Sequence, residues 1–489
     1  MKKTVKSLLV ILVAIIIFAG CGVKEGIKDN KENVKLDPEN PVSIKIWHYY
    51  NGSQQAAFDE LVNEFNSTEG KELGINVEGI SQGTVADLAK VVSDSIDGKV
   101  GADKLPDIFS SYADNAYYAL QKGKLVDLTK YFSKKELLKY VDSYIDEGYL
   151  NADKALYLFP VAKSTESLMI NKTDWEPFAK QTGSSLDELK TVEGIVKVAK
   201  RYYEWTDKKT PDKPNDGKAF YGRDSMSNYF VIGMKQLGKD IFEVKDGKVK
   251  FNTDKKLIKR LWENYYVPYI NGYFTALGKF RSDDVKTGDI LAYTGSSMSA
   301  MYFPDKVEDD NTGYSIDYEV LPAPVMAGGE NYKVQQGADM AVTKSDKKHE
   351  YASCVFLKWF TQKEQNLQFA CESAYMPVLK SANSVKSLDE VIHKKSLNIN
   401  NKTYDCLKNV LSDFDNTKYY ITKNFENGSN ARNVLENNLS DRAQKDRKQI
   451  EKALAKGKNR KELIKEYTSD KAFDKWYNEF CNALDESVK

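Results

Sequence analysis

The stretch from Val42 to Phe109 constrains the fold of this chain more than any other, because its apolar spacing switches between a period of two and a helical period. Val42, Ile44 and Ile46 alternate with Ser43 and Lys45. After the break Asn51-Gly52-Ser53, Ala57, Phe58, Leu61, Val62 and Phe65 recur at helical spacing. That reads as strand, loop and helix. A second strand is expected at Ile75-Asn76-Val77, a second helix on Val85, Leu88, Val92 and Ile96, and a short third strand at Pro106-Asp107-Ile108-Phe109. Repeated β-α-β units place the chain in the α/β class and imply a parallel sheet with right-handed crossovers. With 489 residues, 41% of them hydrophobic, there is material for two or three domains.

In open sheets of this kind ligands bind beyond the carboxyl ends of the strands, where loops turn inward without disturbing the packed layers. The loops in that position span residues 47–52, 81–84 and 110–115. They carry Trp47, His48 and Tyr49, then Gln82 and Gly83, then Tyr112 and Asp114. Aromatic faces beside short hydrogen-bonding side chains suit a sugar or polyol. The C–H face of such a ligand packs on a ring, and its hydroxyls need oriented partners once water leaves. Any one of these aromatics fits a place in the core equally well, so the reading rests on the three loops together.

Charge and residue usage exclude other classes. Lys and Arg total 72 against 71 Asp and Glu, and setting aside Lys2, Lys3 and Lys6 leaves 69 against 71. A chain so balanced does not bind nucleic acid through phosphate neutralisation. Its three histidines (His48, His349, His393) and five cysteines (Cys21, Cys354, Cys371, Cys406, Cys481) draw no zinc-ligand spacing, and no metal or cofactor is expected. Gly295-Ser296-Ser297 lacks the glycine spacing of a phosphate loop, and no Gly-x-Ser-x-Gly elbow is present. Cys354 falls in the apolar stripe Ala352, Val355, Phe356, Trp359, which predicts a buried thiol.

The first twenty residues read as an address. Three lysines precede the apolar run Leu8–Phe18, and Ala19-Gly20 follow, the anatomy of a secretory signal over residues 1–20. Phe18-Ala19-Gly20-Cys21 resembles the lipobox of bacterial lipoproteins, in which the cysteine is acylated and becomes the mature N-terminus. That implies lipidation at Cys21 and a chain held on the extracytoplasmic face of the cell membrane. The charged stretch that follows, to Asn40, has no aromatic residue and is expected to be a flexible tether, residues 21–40.

A wider resemblance is carried by IKIWHYYNG, FDELVNEFN, LPDIFSSYAD, LVDLTKYF, FPVAKSTESLMINKTDW, LAYTGSSMSAM and QQGADMAVTKSDKKHEYASCVFLKWFTQKEQNLQFACESAYMPV, in that order. The series resembles the extracytoplasmic solute-binding proteins of ABC importers, in the carbohydrate-type group called family 1. The resemblance implies an α/β, two-lobe, periplasmic-binding-protein-like fold of type II with a hinged interlobe cleft. It places crossings at Phe159–Glu166, Val320–Ala323 and Tyr375–Val378, with lobe one at 41–163 plus 322–375 and lobe two at 164–321 plus 376–489. Its partners would be a small carbohydrate and the permease subunits with their ATPase, and the protein would act as a monomer without catalysis. Further cleft candidates are Ser164, Thr165 and Glu166 at the first crossing, then Asp224, Ser296, Ser297, Gly337 and Asp339, and Tyr375 at the third crossing. The same positions of Ser164–Glu166 also suit a helix cap or a hinge hydrogen bond.

Trp47-His48 with Gly52, the Ser296-Ser297 pair, Tyr375 and the Gly428 to Arg432 spacing also resemble receptors for glycerol phosphate and its diesters. There Arg432 would meet the phosphate; alternatively it is a solvated helix residue. The segment from Asp441 to Asp470, with 16 charged residues in 30, is expected as exposed helices over lobe two. A secreted glycosidase using two of Asp114, Glu166 and Asp339 is the minor alternative. A structural adhesin would not need aromatic and polar residues gathered at strand ends.

Overall fold

The computed structural model describes residues 34–245, 247–308 and 313–489. The expected leader, Cys21 and most of the expected tether lie outside the described residues. Within the rest of that stretch, Leu36 packs on the core of the first lobe, and the Asp37 carbonyl lies where a Cβ on Gly74 would come within 2.4 Å of it.

The first sheet has the order Asp339–Val342, Ile108–Ser111, Val42–His48, Ile75–Ser81. The last three run parallel, as the β-α-β pattern requires. Asp339–Val342 is antiparallel to its neighbour, because it enters from the other lobe and not through a crossover helix. The helix Gly52–Ser67 buries Ala57, Phe58, Leu61, Val62 and Phe65, the residues whose spacing announced it. Phe58 meets the rings of Phe356 and Phe360 on the helix Lys347–Phe360, and burying such a side chain contributes about 2–3 kcal/mol. Asn66 fixes helix to strand by exchanging two 2.8 Å hydrogen bonds with the Val77 backbone. The helix Val85–Ile96 starts at a capping box between Thr84 and Asp87.

The second sheet, Tyr318–Pro322, Glu166–Asn171, Ala292–Ser296, Tyr221–Arg223, pairs antiparallel except between its last two strands. Neighbours there are far apart in sequence, so no β-α-β repeat sets their direction, and the parallel expectation does not extend to this lobe. Its core gathers Phe178, Phe230, Trp262 and Tyr265. The helix Gly428–Leu454 adds Ala431, Leu435, Leu439 and Ala443 at four-residue spacing, which leaves its other charged residues outside the core as expected, but Asp446 is buried, accepting from Tyr266 Oη at 2.6 Å and Arg442 Nε at 2.5 Å. The helix Asp470–Ser487 adds Phe473, Trp476 and Phe480, the last stacked on Phe230 at 5.3 Å.

The stretch expected to cross at Val320–Ala323 is instead an edge strand of the second sheet. The hydrogen-bonded crossing lies at Gln336, which exchanges backbone bonds of 2.8 and 2.9 Å with Ser164. The helix Val385–Lys395 packs on Lys363–Ser373, and Lys395 reaches Glu64 of the first lobe at 3.1 Å. Cys354, Cys371, Cys406 and Cys481 are free thiols, the first three buried. Among the described residues no helix is long and apolar enough to cross a membrane.

Candidate functional site at the lobe crossings

Three chain segments lie side by side where the sheets meet. Lys163 N donates to Met376 O at 3.1 Å, Ser164 pairs with Gln336, and Phe159 pairs with Met340 at 2.9 Å. Gly337 has φ +103°, and a Cβ there would stand 2.7 Å from Ala162 O, so only glycine fits between the segments. Ala374, in the left-handed region at φ 56°, ends the helix Lys363–Ser373 and turns Tyr375 into the crossing.

Three phenols converge on this junction. Tyr49 Oη and Tyr375 Oη are 3.2 Å apart, and Ala338 N donates to Tyr49 Oη at 3.4 Å. Tyr375 stacks on Phe369 with ring centres 6.3 Å apart. Burial raises the pKa of Tyr49, Tyr112 and Tyr375; for Tyr112 the nearby Tyr375, Glu147 and Asp339 add to it. The hydroxyls therefore stay protonated and can donate to a ligand oxygen.

Beneath the phenols lies a buried charge cluster. Lys163, with no exposed surface, places Nζ 2.6 Å from Glu147 Oε2, 2.6 Å from Asp339 Oδ1 and 3.1 Å from Gly337 O. Burial pushes the Asp339 carboxyl up to about 8, against the pull of Lys163 and with Glu147 adding repulsion. Gln335 Nε2 donates to Glu147 Oε2 at 2.7 Å. Glu147 carried no sequence signal, since it sits in no motif and tertiary packing alone brings it here; Gln335 opens the QQGADM stretch, but nothing within that stretch sets it apart from Gln336.

The second lobe presents a different set. Glu166 accepts from Arg223 Nη2 at 2.8 Å and from Asn228 Nδ2 at 3.0 Å. Ser297 N donates to Thr165 O at 2.7 Å and its Oγ to Ala374 O at 3.2 Å, tying this lobe to the third crossing. The Ser296 hydroxyl accepts from Met298 N at 3.3 Å. Asp224 accepts from Arg281 N at 2.9 Å, and burial raises its carboxyl to about 6. Asp114 forms an ion pair with Arg432 Nε at 3.4 Å, and Arg432 Nη2 also donates to Thr422. Gln54, at the start of the Gly52–Ser67 helix, reaches Met298 of the other lobe.

The junction thus gathers Tyr49, Tyr112, Gly337, Asp339 and Tyr375, with Ser164, Thr165 and Ser297 on the crossing backbone. Trp47 and His48 do not join them. Trp47 packs with Leu88, Val92 and Phe109, and His48 is fully buried against Tyr50 and Phe58 with burial lowering its pKa to about 4. Gln82 N donates to His48 O at 2.8 Å, and Gly83 is exposed at φ +90° before the Val85–Ile96 helix. The carboxylates weighed as a hydrolytic pair are each held by a different cation: Asp114 by Arg432, Glu166 by Arg223 and Asp339 by Lys163.

Against known proteins, residues 60–396 match the pattern of the bacterial extracellular solute-binding proteins. The chain belongs to that family. Members of this solute-binding family act outside the cytoplasm and bind solutes for transport. No curated protein matches the chain. Among solved structures, the cyclic alpha-maltosyl-1,6-maltose binding protein of Arthrobacter globiformis superposes with a TM-score of 0.65 at 16% identity, over 92% of this chain and 100% of that one. UgpB from Mycobacterium tuberculosis, in complex with glycerophosphocholine, gives 0.64 at 16% identity over 92% and 100%. An ABC substrate-binding protein from Listeria monocytogenes in complex with cycloalternan gives 0.60 at 14% identity over 91% and 100%. At such identities the likeness establishes the two-lobe periplasmic-binding fold of this solute-binding protein.

Proposed function

We propose that this solute-binding protein captures a sugar or oligosaccharide between its lobes and hands it to an ABC permease driven by a separate ATPase. Cys21 would carry the lipid that holds it on the extracytoplasmic face, and the monomer would suffice. The observation that carries the reading is the convergence of Tyr49, Tyr112 and Tyr375 on the crossings, three protonated phenols beside the backbone of Gly337 and Ala338. A sugar supplies hydroxyls to those donors and a C–H face to the rings. A ligand touching both lobes favours the closed arrangement by the difference between its contacts in the two states. Arthrobacter and Listeria proteins of the same fold bind oligosaccharides, which supports this choice.

A glycerol phosphodiester is the second reading, supported by the glycerophosphocholine-bound neighbour. Against it, Arg432 already has Asp114 as counterion. Calorimetric titration with mono- and oligosaccharides and with glycerophosphocholine, followed by product analysis, separates the options. Saturable sugar binding with intact ligand, lost in Tyr375→Ala and kept in Arg432→Ala, is expected. Binding of glycerophosphocholine alone, abolished by Arg432→Ala, refutes the sugar reading, and turnover refutes a receptor.

A further inference from the structure

A cavity of about 200 Å³ lies between the helix Asp142–Glu147 and residues 419–424, beside the crossings, and none of Tyr49, Tyr112 and Tyr375 lines it. Two oxygens of its lining side chains, Glu147 Oε1 and Gln335 Oε1, are buried without a hydrogen-bond partner among the described residues. The Glu147 side chain is 3% exposed and Gln335 is 0% exposed. An unpaired buried acceptor costs about 1–3 kcal/mol, so two on one cavity call for an occupant that donates.

The amide donors of the same lining are already used. Gln335 Nε2 donates to Ser143 O at 3.1 Å and to Glu147 Oε2 at 2.7 Å, and Asn424 Nδ2 donates to Leu150 O at 3.1 Å. Of the charged lining side chains, Lys423 is exposed and interacts with Asp146, so the two offset one another, and the buried part of the lining offers acceptors and few amide donors. A hydroxyl brings lone pairs that would themselves need donors, whereas an ammonium has three N–H donors and no acceptor. Tyr149, Tyr419 and Tyr420 add aromatic surface, which tolerates a cation better than it tolerates an anion. Behind the cavity, Glu147 engages Lys163 through Oε2 alone, which leaves Oε1 for the occupant.

We propose that this cavity is a second ligand site, one that takes the protonated primary amine of a small organic molecule between Glu147 Oε1 and Gln335 Oε1. Because the cavity joins a helix of the first lobe to the strand Lys418–Tyr420 beside Gln335, its occupant touches both sides of the junction.

The full chain is titrated with ethylammonium chloride, with tetramethylammonium chloride and glycerol as controls, and its crystals are soaked in the same compounds. Saturable ethylammonium binding is expected, weakened at least tenfold in Gln335→Met, with no binding of tetramethylammonium, which is charged but has no N–H. In the soaked crystal the amine nitrogen should lie within hydrogen-bond reach of both oxygens. Equal binding of tetramethylammonium or glycerol overturns the proposal. So does a cavity holding only water at saturating amine, a result that the unaltered chain delivers even if Gln335→Met does not fold.

Discussion

Replacing His48 by Asn removes an ionisable ring from the first lobe's core while leaving an acceptor near the Tyr50 N–H, which now donates to His48 Nδ1 at 3.2 Å. His48 is fully buried, its Nε2 meets no hydrogen-bond partner among the described residues, and its ring packs 5.1 Å from Tyr50 and 4.8 Å from Phe58. Burial alone lowers its pKa to about 4 from the ordinary 6.5. The folded pKa lies below the unfolded one, so the unfolded chain takes up the proton first. The stabilisation is complete above pH 6.5 and is lost as pH falls toward 4. A difference of that size corresponds to about 3 kcal/mol between the ends of the window. Urea unfolding between pH 7.5 and 4, followed by the fluorescence of Trp47 and Trp359 in the first lobe, measures it. Other groups titrate in parent and variant alike, so the difference of the two pH profiles isolates His48. The parent should lose about 3 kcal/mol more than His48→Asn over that range. Parallel profiles, or a His48 ring that titrates near its ordinary value by NMR, would refute the reasoning.

Two further outcomes are expected. Asp339→Asn should flatten stability between pH 4 and 8, because a carboxyl raised to about 8 by burial gives stability that is full at low pH and lost as pH rises through that value; thermal melts across the range check it. Gly337→Ala should cost about 2–4 kcal/mol by denaturant titration, since the new methyl meets Ala162 O in a backbone region that L residues rarely adopt, and it should also weaken ligand capture.

The first lobe was legible because local spacing governs it. Ala57, Phe58, Leu61, Val62 and Phe65 form the buried stripe their periodicity announced, and Thr84 begins a helix where a capping residue stood before an apolar run. The end of the first strand was not legible. Trp47 and His48 suit a strand as well as a loop, and the alternation simply continues through them, Trp47 to one face and His48 to the other. Tyr49, one residue later, is the first to reach the crossings. The second lobe's strand directions escaped sequence reasoning because its antiparallel pairs join segments more than a hundred residues apart, such as Glu166 with Ser296. Arg432 shows the same limit: its partner Asp114 lies in the first turn of the other lobe's helix Ala113–Gln121, and nothing near Arg432 in sequence names it. Glu147 was invisible for the same reason, being one acid among several until folding sets it against Lys163.

The ammonium of Lys163 turns the crossings into an axle. Its contacts at 2.6, 2.6 and 3.1 Å are shut off from water, and separating a buried ion from its partner costs about 3–5 kcal/mol, several times thermal energy. Bending that ran through this point would have to break those contacts. The flanking peptides must absorb the rotation instead, leaving a pivot that stays fixed while the two bodies swing around it.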